Sequence, residues 1–237
     1  MVNPELQGPV VRLTDVTKQY RKGDVSITPL ANAHVTVEAG EFIALIGPSG
    51  SGKSTLLNLV AGIDQATNGR VEVVGRDITT ASENDLAIWR RRTVGYIFQQ
   101  FNLMPVLTAA ENVELPLLNL PLDRERRRQQ VATVLGLVGL SDRHDHYPRQ
   151  LSGGQEQRVA IARALAADPH LILADEPTGS LDRDSAHGVM DLLVELNERF
   201  HKTVIVVTHD LDVAARAPRR LRLDKGQLAD EHVRSQP

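Results

Sequence analysis

Between Phe42 and Ala61 the chain passes from an unbroken apolar run, Phe42-Ile43-Ala44-Leu45-Ile46, straight into Gly47-Pro48-Ser49-Gly50-Ser51-Gly52, and from Lys53 it resumes with helical spacing. A run that is apolar at every position suits a strand buried on both faces, as in a parallel sheet. The glycine- and serine-rich stretch continues neither regular element. Gly47 to Ser54 matches G-x-x-x-x-G-K-[ST], and it lies in the strand, loop and helix context that gives this pattern its physical meaning. Glycines let main-chain N–H groups approach phosphate oxygens, and a helix N-terminus adds potential favourable to an anion. Gly47, Pro48, Ser49, Gly50, Ser51 and Gly52 are therefore the expected cradle. Lys53 is assigned to the β- and γ-phosphates, Ser54 to Mg²⁺ through its hydroxyl, and Thr55 to the neighbourhood of the phosphates.

A second apolar strand candidate, Leu171-Ile172-Leu173-Ala174, ends in the carboxylates Asp175 and Glu176. Ligands of open α/β sheets gather at the carboxyl ends of strands, which gives Asp175 the role of holding Mg²⁺ through water and Glu176 that of polarising an attacking water. Alone, the acid pair is a common capping or loop feature. The phosphate loop upstream is what makes it chemical.

The rest of the chain supplies the frame. Val10-Val11-Arg12-Leu13 and His34-Val35-Thr36-Val37 alternate as short strands, and Glu38 to Glu41 reads as a turn. Arg70 to Val74 and Thr203 to Val207 are further strand candidates. Helices are expected over Ser82 to Arg92, opened by a serine cap with Asp85 behind it, and from about Asp182 to Phe200. Between Gln99 and Leu165 the pattern is mainly helical, with Asp123 placed to cap a helix whose Val131, Val134, Leu135 and Val138 share a face. Alternating strands and helices imply a parallel sheet covered on both faces, interrupted by a helical insertion.

Length and composition bound the reading. At 237 residues there is room for one α/β unit with an attached subdomain, and aromatics at 3% leave an aliphatic core. A formal charge of -3 argues against a broad nucleic-acid surface. With Cys 0, disulfides, thiolate metal sites and cysteine nucleophiles are excluded. Met1 to Gly8 carries no apolar signal core, and no run of about 18 apolar residues occurs, so any membrane anchor belongs to another chain. His144 and His146 are spaced closely, but no third ligand accompanies them, and a solvated loop is expected there.

Leu151-Ser152-Gly153-Gly154-Gln155, followed by Arg158-Val159-Ala160-Ile161-Ala162-Arg163-Ala164-Leu165, resembles the signature motif and helix of ABC-type (ATP-binding cassette) ATPases. The resemblance runs from Val11 to about Leu228. It implies a P-loop NTPase fold with a RecA-like parallel core, an antiparallel β subdomain and a helical subdomain over about 100–165, all within one nucleotide-binding unit over 1–237. It also implies that ATP with Mg²⁺ is bound and hydrolysed between two copies, the Ser152, Gly153, Gly154 and Gln155 segment of one closing over the phosphate loop of the other. Residue by residue, Tyr20 resembles the aromatic that stacks on adenine, and Gln99 the residue that contacts Mg²⁺ and the water. Asp182, in Ser180-Leu181-Asp182, resembles the loop that crosses the dimer interface, and His209 the switch histidine at the γ-phosphate. Glu176, His209, Gln99 and Lys53 are thus the expected catalytic set, and Ser54, Gln99 and Asp175 the expected metal set.

Gly23-Asp24-Val25, the run from Leu86 to Gln99, and Leu107-Thr108-Ala109-Ala110-Glu111-Asn112-Val113 are similar to the macrolide-exporter and lipoprotein-release branch. That likeness implies an integral membrane permease as partner, contacted around Phe101 to Pro105, and a place on the cytoplasmic face of the inner or plasma membrane. A force-transmitting ATPase for cell division or cell-wall remodelling, with no transported solute, is the alternative. A soluble DNA-repair or chromosome-organising ATPase is disfavoured by the absent coiled coil, the absent cysteine zinc sites and the acidic charge; no nucleic acid is expected as a partner. The tail from Asp230 to Pro237 is short and polar, so no regulatory domain is expected.

Overall fold

The strand Phe42–Ile46 (β3) is buried at every residue. Its side chains alternate between two apolar clusters: Phe42, Ala44 and Ile46 enter one, Ile43 and Leu45 the other. Such alternation is what a central strand with both faces covered requires. The computed structural model describes residues 8–231. Expectations placed on 1–7 and 232–237 lie outside the described residues.

Val11–Lys22 (β1) and Val25–Val37 (β2) form a long antiparallel hairpin, extended by Asn68–Val73 (β4) and Arg76–Asp77 (β5) into a sheet ordered β2-β1-β4-β5. β1 is irregular, with register shifts between Leu13 and Val16, Val16 and Lys18, and Lys18 and Tyr20, and Asp15 at φ 52. Bulges of this kind break the period-2 pattern and increase twist. That is why the sequence suggested two short strands where the chain builds one hairpin.

The second sheet adds Val94–Ile97 (β6), Leu171–Asp175 (β7), Thr203–Val207 (β8), Arg219–Asp224 (β9) and Gln227–Glu231 (β10), in the order β10-β9-β3-β8-β7-β6. β9, β3, β8, β7 and β6 pair in parallel, and β10 returns antiparallel on the edge. β9 and β10 were not legible because their exposed positions carry charges: Arg219 pairs with Asp230 and Glu41, and Arg222 with Glu231.

On one face of this sheet lie Lys53–Val60 (α1), Glu83–Thr93 (α2) and the antiparallel sheet. On the other lie Ala109–Glu114 (α3), Arg124–Leu137 (α4), Gly153–Leu165 (α5) and Arg183–Phe200 (α6), with the short Leu211–Ala215 (α7). The caps act where expected: the side chains of Ser82, Asp123 and Asp182 accept from the N–H groups of Asp85, Arg126 and Ser185. Val131, Val134, Leu135 and Val138 are all buried in the first cluster. The main-chain carbonyls of His146 and His144 accept from Ala109 and Ala110, so this loop serves the start of α3. Among the described residues no helix is long and apolar enough to cross a membrane.

Candidate functional site

The carboxyl ends of β3, β7 and β8 lie level. Leu45 and Asp175 both pair with Val207, Glu176 N–H donates to Val207 O at 3.0 Å, and Thr208 N–H donates to Leu45 O at 3.2 Å. The loop leaving β3 therefore starts beside the two carboxylates that close β7.

That loop is shaped by close backbone contact. Gly47 has φ 155 and a Cβ there would lie 2.1 Å from Leu223 O; Gly52, the N-cap of α1, has φ 103 and a Cβ would lie 2.4 Å from Pro29 O. Neither position admits a side chain. Pro48, Ser49 and Gly50 are exposed, whereas Ser51 is buried with an Oγ that has no partner among the described residues. The N-terminus of α1 has no side-chain cap and no acid in its first turn. Its free N–H groups and the orphaned Ser51 hydroxyl both suit an anionic ligand. Lys53 is 6% exposed, and its Nζ donates to Gly47 O at 2.9 Å and Pro48 O at 3.0 Å, curling its charge over the cradle.

The Ser54 hydroxyl lies beside the Asp175 carboxylate and favours its ionised form. Burial raises the Asp175 pKa, and the Glu176 charge adds to the rise, against the opposing effects of Ser54 and Lys53. Asp175 thus gains from any added positive charge. A neighbouring hydroxyl and carboxylate are hard oxygen donors, the set Mg²⁺ prefers when phosphate and water complete its shell. Among the described residues no group of three or more His, Cys, Asp or Glu could hold a metal alone. The donor set therefore fits an ion that arrives with a phosphate ligand.

Glu176 adopts φ 47, a left-handed conformation uncommon outside glycine and found where the fold holds a side chain against local preference. Its Oε2 lies 3.3 Å from His209 Nδ1, with Glu176 22% and His209 69% exposed. Glu176, Thr178, Gly179, Thr208, His209 and Asp210 line a cavity of about 190 Å³. Gln99 joins them across Gly179, where a Cβ would lie 3.2 Å from Gln99 Nε2 and 3.5 Å from Glu176 Oε2. Lys53, Ser54, Asp175, Glu176, Gln99 and His209 thus form a linked set. Tyr20 is 41% exposed, and its hydroxyl donates to Asp64 Oδ2 at 2.6 Å.

Ser152, Gly153, Gly154 and Gln155 stand apart from this set. Ser152 caps α5, its Oγ accepting from Gln155 N at 3.3 Å while Gln155 Oε1 accepts from Ser152 N at 3.0 Å, a reciprocal capping box. Gly153 and Gly154 belong to the first turn of α5. Gly153 abuts Leu181 and Phe101, and Gly154 abuts Ser185. Asp182 caps α6 through Ser185 N at 2.9 Å and Ser185 Oγ at 2.7 Å.

Several contributors escaped the sequence reading. Gln157 is fully buried and donates Nε2 to Pro177 O at 2.7 Å, joining α5 to the residue after Glu176. Its signal was a lone amide on an apolar helix face. Tyr96 donates its hydroxyl to Asn58 Oδ1 at 3.2 Å, and its pKa is raised by burial and by the Asp175 charge. Asn112, also fully buried, accepts from Met104 N at 2.8 Å and donates to the carbonyls of Met104, Leu107 and Thr108, fixing the loop that exposes Met104 and Val106.

Comparison with known proteins identifies the family. Residues 30–179 match the family model described as ABC transporter. The chain is 48% identical, over 93% of its length and 98% of the relative's, to the uncharacterized ABC transporter ATP-binding protein MJ1508 of Methanocaldococcus jannaschii. It is 45% identical over 94% of its length to the macrolide export ATP-binding/permease protein MacB of Hyphomonas neptunium, of which it spans 34%. Among solved structures, the dimeric post-hydrolysis state of the ATP-binding cassette MJ0796 bound to ADP and Pi superposes with a TM-score of 0.87 at 44% identity, covering 95% of this chain and 100% of that one.

Proposed function

We propose, from the premise that this chain belongs to the ABC transporter family as one of its ATP-hydrolysing cassettes, that two copies enclose two ATP molecules and that the resulting closure drives a membrane permease lying outside these residues. The observation that carries the reading is the linked set at the level ends of β3, β7 and β8: Lys53 over the loop, Ser54 on Asp175, and Glu176 between His209 and Gln99. We read 1–237 as one catalytic unit, with about 100–165 as its helical insert.

In this reading Gly47 to Gly52 and the first turn of α1 give N–H donors to the β- and γ-phosphates, and Lys53 exchanges its loop carbonyls for phosphate oxygens. Ser54 and Asp175, with Gln99 beside them, would hold Mg²⁺, which neutralises phosphate charge when bound. Glu176 accepts a proton from water as the water oxygen bonds to the γ-phosphorus and the bridging P–O bond to ADP breaks, yielding ADP and phosphate. His209 is placed by Glu176 to donate to the γ-phosphate. Positioned donors around the transferring phosphoryl group supply most of the rate in such reactions. Ser152 and the first turn of α5 complete the site of the partner copy.

The surface for the permease is the loop after Gln99. Met104 is 48% and Val106 73% exposed, on a backbone that Asn112 holds from within. Apolar side chains presented on a stiff loop suit a protein groove at the membrane boundary. The test is to trap Glu176→Gln protein with ATP and Mg²⁺ and recover what it retains from detergent-solubilised membranes of its own source. Retention of a polytopic membrane protein, lost on Met104→Asp/Val106→Asp substitution, is expected; retention of nucleic acid or of soluble proteins alone would overturn the reading.

A further inference from the structure

Tyr20 stands near the end of β1, directly across the hairpin from Ile27, which is 59% exposed. Its exposed ring is not loose. Lys18 Nζ sits 4.8 Å from the ring centroid, and the same ammonium donates to Asp64 Oδ1 at 2.5 Å and to Gln65 O at 2.8 Å. The other Asp64 oxygen accepts from the Tyr20 hydroxyl at 2.6 Å. The Lys18 and Asp64 side chains are only 12% and 27% exposed, so this is no fully solvated surface pair.

Asp64 is itself anchored to the phosphate-binding helix. Its N–H donates to Asn58 O at 3.2 Å, and Ile63 N–H donates to the same carbonyl at 2.9 Å. Burial alone would raise the Asp64 pKa, but hydrogen bonds from Lys18, Tyr20 and the Gln65 N–H outweigh it and hold the carboxyl below its ordinary value. An ionised carboxylate only accepts, so the phenol must donate, and this fixes the ring's tilt as well as its place. The cation lies over the ring, and at 41% exposure Tyr20 still offers ring surface to a second π-system.

We infer that Lys18 and Asp64 are positioning residues for the nucleotide base, bracing the Tyr20 ring against α1 so that the base platform and the phosphate loop stand at a set separation. A nucleoside triphosphate then meets two subsites already in register, and a ligand without a base gains nothing from the brace. The inference rests on the reading of Tyr20 as the base platform.

The test compares ATP with inorganic tripolyphosphate, each titrated calorimetrically with Mg²⁺ into the whole chain. Tyr20→Ala is expected to weaken ATP about tenfold by losing the stack, while tripolyphosphate changes by less than about twofold. Asp64→Ala, Lys18→Met and Tyr20→Phe are each expected to weaken ATP about fourfold, again sparing tripolyphosphate. The Tyr20→Phe/Asp64→Ala pair should be no weaker than the worse single variant, because both remove one interaction. If Tyr20→Ala leaves ATP affinity intact, the base-platform reading falls and the brace with it. If Tyr20→Ala weakens ATP but Lys18→Met and Asp64→Ala do not, the brace alone is overturned. Equal loss of ATP and tripolyphosphate in Asp64→Ala and Lys18→Met would reduce the pair to a structural tether and also overturn it.

Discussion

The N-terminus of α1 and that of α5 are built from similar residue types, but only the second is capped by a side chain. α1 begins at Gly52 with no side-chain cap, and Lys53 curls back over the loop that precedes it. α5 begins at Ser152 with a capping box that meets the N–H groups of Ser152 and Gln155 and engages the Ser152 hydroxyl. The first end offers open N–H groups and a cation to an anion; at the second, two donors and the Ser152 hydroxyl are engaged within the chain itself. Among the described residues no hydrogen bond or ion pair joins Ser152–Gln155 to Gly47–Thr55. In the proposed reading, one chain thus presents a phosphate cradle and, elsewhere, a Ser152 hydroxyl and Gln155 N–H that reach phosphate only by giving up a cap worth about 1 kcal/mol. On the proposed dimer, closure would then depend on the γ-phosphate, because a strong anion favours that exchange.

This contrast can be broken at several points. The largest effect is expected from Glu176→Gln, which should lower turnover by at least about 100-fold and leave an ATP-bound dimer, read by phosphate release and gel filtration. Unchanged turnover would remove Glu176 from the mechanism. Lys53→Ala should weaken ATP binding to the isolated chain by about 10- to 100-fold in calorimetry, because a charge-assisted contact to phosphate is lost. Ser152→Ala should lower unfolding stability by about 1 kcal/mol in denaturant while barely changing ATP affinity of the isolated chain. A large affinity loss there would mean that the two ends already cooperate within one chain.

The smallest effect concerns pH. Asp64 has a folded pKa below the ordinary value of 3.8, so its stabilising contribution is complete above that value and is lost as pH falls through the lower, folded one. The stability gap between the native chain and Asp64→Ala should therefore be constant near neutrality and close in strong acid. A gap that closes on raising pH would contradict the sign.

The conformation of the Gly47–Gly52 loop was legible in the sequence because its geometry is local. A glycine-rich turn between a buried strand and a helix admits few conformations, and Gly47 and Gly52 sit where backbone contact forbids any side chain. Asp175 and Glu176 were legible for the same reason, as the polar end of a strand buried up to that point. What escaped depends on long-range contact. Gln157 reaches Pro177, Tyr96 reaches Asn58, and Lys18 reaches Asp64 across 46 positions, and no local spacing announces such meetings. β1 escaped as a continuous strand because bulges interrupt its alternation, and β9 because alternate arginines disguise an edge pair. Signals that depend on a single amide in an apolar helix, such as Gln157, are detectable in principle: a buried polar group needs a partner.

The central claim is that each nucleotide is gripped by the loop of one chain and the α5 end of another, and mixing two defective chains tests it most directly. Lys53→Ala spoils the loop and Ser152→Arg the α5 end, and each variant alone should be without ATP hydrolysis. A mixed dimer retains one site with both halves native, so combining the two should restore hydrolysis that neither shows separately. A mixture as inactive as its components, or a Ser152→Arg chain that hydrolyses ATP alone at the native rate, would contradict a site shared between chains.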